Sequence, residues 1–219
     1  MKVPPNIQLI AYTELRHMTN EKRTHFSWEA RRKIYSQFRA ATTTVKGNIA
    51  HQYLAVIVAD HVIDVFNSAF PEDDLPARLL KQAKLIVRKK ARKNSTVVES
   101  LLEDGYNALG LDAILWRGTT NYPAEYAGFS CYKALLEATG CFTLLDDVET
   151  ICPAKRLSQD SARITEEEIA HLAAHGDTAS AAAMAVSCKK RSVKSARSKA
   201  QAFWEWWVVD GLRKAWQRV

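Results

Sequence analysis

Apolar residues along this chain recur at intervals of three and four far more often than at two, and glycine and proline are scarce. That is the period of helices, not of strands. Ser27 stands where a side-chain cap belongs, and the segment after it sets Trp28, Ile34, Tyr35 and Phe38 on one side, with Arg31, Arg32 and Lys33 around the other. The next segment, from about Asn48 to Phe70, is nearly apolar all round in its middle, which predicts a central buried helix. It must stop at Phe70-Pro71, because a proline disfavours the helical conformation in the residue before it. Asp73 and Asp74 then offer capping carboxylates, and Pro76 takes an early, donor-free position in a helix running to about Arg88. The two helices are expected to be antiparallel and joined by a tight corner.

Thr96 to Glu99 has the spacing of a capping box and opens a helix carrying Leu101, Leu102, Tyr106 and Leu109, closed by Gly110. Pro123 starts another, bearing Tyr126, Phe129, Ala134 and Leu135 and stopping at Gly140. From Cys141 to Arg163 the periodicity fades around Pro153 and a polar run, so residues 141–163 are expected to form an exposed loop. A second capping box at Thr165 to Glu168 begins a helix that ends at Gly176, and Asp177 caps an alanine-rich helix to about Cys188. The fold class expected is all-α, a single multi-helix bundle over residues 1–219. The corner-joined helix pairs leave a degenerate α-solenoid of antiparallel pairs as the alternative.

The last predicted helix holds four of the six tryptophans. On a helical wheel, Phe203, Trp204, Trp207, Val208, Gly211, Leu212 and Ala215 form one apolar stripe, so most of these indoles belong to the core. Trp206 and Trp216 fall outside it, near Glu205, Asp210 and Arg213. They are either covered by a second layer or exposed as aromatic anchors for a partner.

With 219 residues the chain can bury a core without staples. Apolar residues make up 47% and charged residues 25%, which argues against disorder over most of its length. Cys131, Cys141, Cys152 and Cys188 lack the paired spacing of a zinc site and are too few for a disulfide scaffold, so they read as reduced thiols. The N-terminus lacks the sustained apolar region of a signal peptide, and the longest strongly apolar run, Tyr53 to Ala59, is far short of the roughly 20 residues that span a bilayer. A cytoplasmic protein is expected.

The net charge of +7 is compatible with nucleic acid or with an acidic protein. Lys81 to Lys93 carries seven Lys or Arg, and Lys189 to Lys199 carries six. Counterion release could turn such blocks into a phosphate-binding surface, but no aromatic residue interleaves with them as a stacking platform. Glu168, His171 and His175 share a helix face and could ligate a metal, yet neither the zinc-protease pattern nor a second Glu-x-x-His accompanies them. Asp60, His61 and Asp64 sit in the most apolar helix, where a few polar residues ordinarily mark its exposed edge or a hydrogen-bonded core position. No phosphate loop or nucleophile elbow is present. The reading is of a protein that is no enzyme and uses no metal or cofactor.

Four stretches together resemble immunity family five of the bacterial polymorphic-toxin systems: WEARRKIY at residues 28–35, FNSAFPEDDLPARLL at 66–80, Gly-Asp-Thr-Ala at 176–179, and FWEWWVVDGLRKAW at 203–216. The resemblance extends from about Ser27 to Trp216, and the chain departs from a compact version of the pattern in its 141–163 insertion and basic blocks. It implies a mostly helical intracellular protein that protects a bacterium by binding a toxin, as a stoichiometric inhibitor without cofactor or catalytic residues. The residues offered to such a partner are Trp206, Trp216 and Arg213, then Trp116 and Arg117, and the acidic corner Glu72, Asp73 and Asp74. The alternative from another class is a basic helical nucleic-acid-binding protein.

Overall fold

The computed structural model describes residues 2–109, 121–140, 177–187 and 193–219, and every regular element among them is helical. In chain order they are α1 (Pro5–Asn20), α2 (Trp28–Ala40), α3 (Thr44–Ala69), α4 (Leu75–Val87), α5 (Thr96–Leu109), α6 (Tyr122–Thr139), α7 (Thr178–Ser187), α8 (Val193–Trp206), a π-helical turn (Trp207–Gly211) and α9 (Leu212–Trp216). The loop expected at 141–163, the helix starting at Thr165, the closing Gly110, and Cys141, Cys152 and Cys188 lie outside the described residues.

The caps fall close to where the sequence puts them. Ser27 Oγ accepts from the Ala30 amide, and Asp177 Oδ1 accepts from the Ser180 amide at 2.8 Å. Gly140 closes α6 in the left-handed conformation that glycine alone adopts freely, at φ 87°. Three local expectations are corrected. Ser95, one residue before the expected Thr96, caps α5 through the Val98 amide. Asp73, not Asp74, holds the start of α4, accepting from the Leu75 amide at 3.0 Å. Tyr106 is 53% exposed, because α5 is an outer helix whose buried stripe, Val98, Leu101, Gly105 and Leu109, leaves it on the far side. Helix α1 has no counterpart in the sequence reading. Its start is nonetheless written in the chain, since Pro5 stands at a first-turn position where the missing N–H costs nothing.

α3 runs alongside α4, with Asp60, before the Phe70-Pro71 corner, and Lys84, after it, meeting at 2.5 Å. α6 packs against α3, α4, α5 and α7, and α3 also meets α2, α7 and α9. Contacts this distant in sequence around two shared helices make a bundle, since a solenoid unit touches only its neighbours. α3 is long and apolar enough to pass for a membrane span. Its apolar window is 56% buried inside the fold, and Asp60, His61 and Asp64 line its exposed edge, as a core helix requires. Cys131, on α6, is buried, and burial pushes its thiol far above the usual range, so it stays protonated.

The crossing of α2 and α3 depends on a close approach. A Cβ on Gly47 would stand 2.5 Å from the backbone N and Cα of Arg39, and backbone cannot swing aside as a side chain can. Gly47→Ala is therefore expected to cost about 1–3 kcal/mol through overpacking, despite alanine's better helix propensity. Urea unfolding of the variant checks this; a midpoint at or above that of the parent would refute it.

Candidate functional site

Helix α2 carries a guanidinium into the core. Arg31, expected on the polar side, is fully buried, because Trp28, Arg31, Tyr35 and Phe38 follow one another at spacings of three and four and so share the inward face. Its Nε donates to Asp177 Oδ2 at 2.8 Å, its Nη1 donates to the Phe26 carbonyl, and its Cζ lies 5.6 Å from the ring centroids of both Trp28 and Trp204. The aromatic cluster of the C-terminal segment is thus the wall of an ion pair. Phe26, Trp204 and Trp207 close it, with centroids 5.2–5.7 Å apart, and the Trp204 indole donates to the Thr24 carbonyl.

Asp177 has two duties: it caps α7, and it is the counter-ion of Arg31. Its Oδ2 also accepts from the Tyr35 hydroxyl at 2.8 Å. Burial pushes the Asp177 carboxyl up, but Arg31 and the hydrogen bonds from Ser180 and Tyr35 outweigh it and leave it below the ordinary carboxylate range. Tyr35 is driven well above its usual value, first by burial and then by the Asp177 charge beside it. Tyr35 stacks on His51, centroids 4.0 Å apart, and His51 Nε2 faces Glu137 Oε2 at 3.1 Å. Glu137 Oε1 accepts from the Thr178 amide at 3.0 Å and the Thr178 hydroxyl at 2.6 Å. Lys133, one turn before Glu137 on α6, lies over the Phe129 ring, and its ammonium is lowered by burial, partly offset by Glu137 and Asp177.

The acids, bases and cations of this centre are those of an active site, but its central pair, Arg31 and Asp177, is engaged with itself and with neighbouring hydrogen-bonding groups. Arg31 and Asp177 are 0% exposed, and each charge is satisfied by an opposite charge or by hydrogen bonds. The centre ties α2, α3, α6 and α7 together. Sequence reading missed it because it weighed Arg31 by polarity and not by its place in the heptad-like spacing.

The C-terminal segment confirms the apolar stripe in full: Phe203, Trp204, Trp207, Val208, Gly211, Leu212 and Ala215 are all buried. Of the two alternatives for Trp216 the structure has the covered one, so its expected place on a partner-binding face is corrected. It is only 2% exposed and packs against Phe38 at 5.7 Å. The cause is the π turn at Trp207–Gly211. An i→i+5 turn takes up one residue more than an α turn, so everything after it rotates back by about one position, roughly 100°, and Trp216 swings from the outer side towards the core. Trp206, before the turn, keeps its predicted place: it is half-buried and stacks on His61, centroids 3.6 Å apart. His61 is lowered by burial and by Lys214, which favours its neutral form.

Among the other candidates, Arg213 is exposed and pairs with Asp210 at 2.5 Å. Glu72, Asp73 and Asp74 are exposed at the corner, where Asp74 reaches Arg78 at 3.8 Å. Trp116, Arg117, Glu168, His171 and His175 lie outside the described residues. Among the described residues no group of His, Cys, Asp and Glu could hold a metal. The first basic block follows the sequence from α4 into the connection to α5, and the described part of the second belongs to α8, where Arg197 and Lys199 are half-buried.

Comparison with curated proteins and with solved structures returns no match. The profile of the family described as Immunity protein Imm5 matches residues 13–214, from the middle of α1 through the buried ion pair and the π turn into α9. The chain belongs to the immunity protein family Imm5.

Proposed function

We propose that this protein is a bacterial, cytoplasmic immunity protein that binds a toxin and neutralises it by stoichiometric contact, without cofactor or catalysis. The observation that carries the reading is the family match over residues 13–214. Support comes from the chemistry of the interior. The one dense gathering of acid, base and cation among the described residues is enclosed, and its central Arg31–Asp177 pair is satisfied from within, which suits a rigid scaffold better than a reaction centre. An inhibitor of this kind works by occupying its partner, so what matters is a preorganised surface, and the bundle provides one.

The test is protection. Expression of the toxin domain encoded beside this gene should arrest growth of a host, and co-expression of this chain should restore it in proportion to dose, with a 1:1 complex recoverable by size-exclusion chromatography. Growth arrest undiminished at equal expression of the two would end the reading.

A further inference from the structure

We propose that the surface around the C-terminal turn docks an acidic, apolar-tipped face of the toxin; the inference rests on the immunity reading and adds to it the place and chemistry of contact. Two clefts flank α9, and Gln217 lines both. One, of about 580 Å³, lies between the N-terminal segment and the π turn, walled by Val3, Tyr12, Val209 and Leu212, with Lys2 and Arg213 at its edge. The other, of about 460 Å³, lies between α3, α4 and α9. Its apolar lining is Val56, Ile57 and Val87, and its charged lining is Lys84, Arg88, Lys214 and Arg218 against Asp60.

The charge is lopsided. Asp60 is engaged by Lys84 and Asp210 by Arg213, and among the described residues no side-chain carboxylate pairs with Lys2, Arg88, Lys214 or Arg218. Helix dipoles account for part of this, since Arg88 and Lys214 stand at helix C-termini. They do not account for the apolar groups beside it. Tyr12 and Val209 are each 48% exposed, and Leu9 lies one helical turn before Tyr12 at 69%. The π turn presents Val209 to the first cleft, and Arg213 of α9, paired with Asp210, lines it as well.

Apolar floors beside cations that have no carboxylate partner among the described residues fit a protein face on which carboxylates surround one or two inserted apolar side chains, the arrangement of an apolar interface centre with a charged rim. Nucleic acid would use the cations but leave the aliphatic floors unfilled. A single strand would also want open aromatic platforms, and in the second cleft the guanidinium of Arg218 lies over the Tyr53 ring, 6.0 Å from its centroid.

The experiment titrates the purified toxin domain encoded beside the gene into three proteins: the parent, the double variant Lys214→Glu/Arg218→Glu, and the control Arg32→Glu/Lys33→Glu, an equal charge change on the exposed side of α2. All four replaced side chains are at exposed positions, and thermal melts verify folding. The expected result is a loss of affinity of about 10- to 100-fold in the first variant, a shallower salt dependence than the parent, and a change within about twofold in the control. A parent that binds and a first variant that binds as tightly would overturn the surface while leaving the immunity reading intact. A parent that neither binds nor protects would overturn both. Binding of a 20-base-pair DNA duplex by the parent at physiological salt, lost in the first variant while toxin binding is kept, would assign the surface to nucleic acid and also overturn the proposal.

Discussion

Trp216→Ala is expected to destabilise the protein by about 3–5 kcal/mol, as much as Trp207→Ala, while Trp206→Ala costs about 1–2 kcal/mol. All three residues lie within one short segment, and an uninterrupted helix would place Trp206 and Trp216 together on its outer side. The π turn separates them. Trp207 and Trp216 are fully enclosed, so truncation leaves an indole-sized cavity, whereas Trp206 loses a stacking contact with His61 on a half-exposed surface. The indole N–H groups of Trp207 and Trp216 find no acceptor among the described residues. Phenylalanine at either site removes that buried donor as well as some volume, and is expected to cost clearly less than alanine. Denaturant unfolding of the alanine variants checks the order: a Trp216→Ala protein no less stable than Trp206→Ala would mean that the π turn does not rephase the last turn of helix.

Asp177→Ala is the second large effect, about 3–5 kcal/mol, because it strands a buried guanidinium without its counter-ion. It also frees the Tyr35 hydroxyl and removes the cap of α7. Arg31→Met in the same chain is expected to return part of the loss, since an apolar pair needs no desolvation, and the two changes together should cost less than their sum. Strict additivity would show that the pair is not coupled. The sign of the pH dependence follows from the lowered Asp177 carboxyl. The ion pair's contribution is present above the ordinary carboxylate value, near pH 4, and is lost as pH falls through the lower value that Asp177 has in the folded protein. Acid unfolding followed by circular dichroism should therefore steepen below about pH 4 in the parent and be flatter there in Asp177→Asn.

Which side of each helix faces inward was mostly legible from spacing. The stripe from Phe203 to Ala215 is buried residue for residue, and the Pro71 corner, the Ser27 and Asp177 caps and the Gly140 stop stand where local chemistry placed them. Arg31 was legible too, had position been weighed above polarity, because its spacing from Trp28, Tyr35 and Phe38 already put it on the inner face.

Its partner was not. Asp177 lies 146 residues away, and nothing in the periodicity of either helix says that a cap on one will neutralise a cation on the other. Nor could a helical wheel foresee the π turn, which has no local signature here and is paid back only by seating Trp207 and Trp216 in the same core. Local sequence determined that this chain is helical, where most of its described helices begin and end, and which stripe of each is apolar, because capping, proline geometry and burial act over one or two turns. Tertiary structure alone decided which charges meet in the core, which of two neighbouring tryptophans is enclosed, and which cations around Gln217 have no carboxylate partner among the described residues. Those outcomes depend on how separate helices stack, and stacking energy belongs to pairs of surfaces that the chain brings together only when it folds.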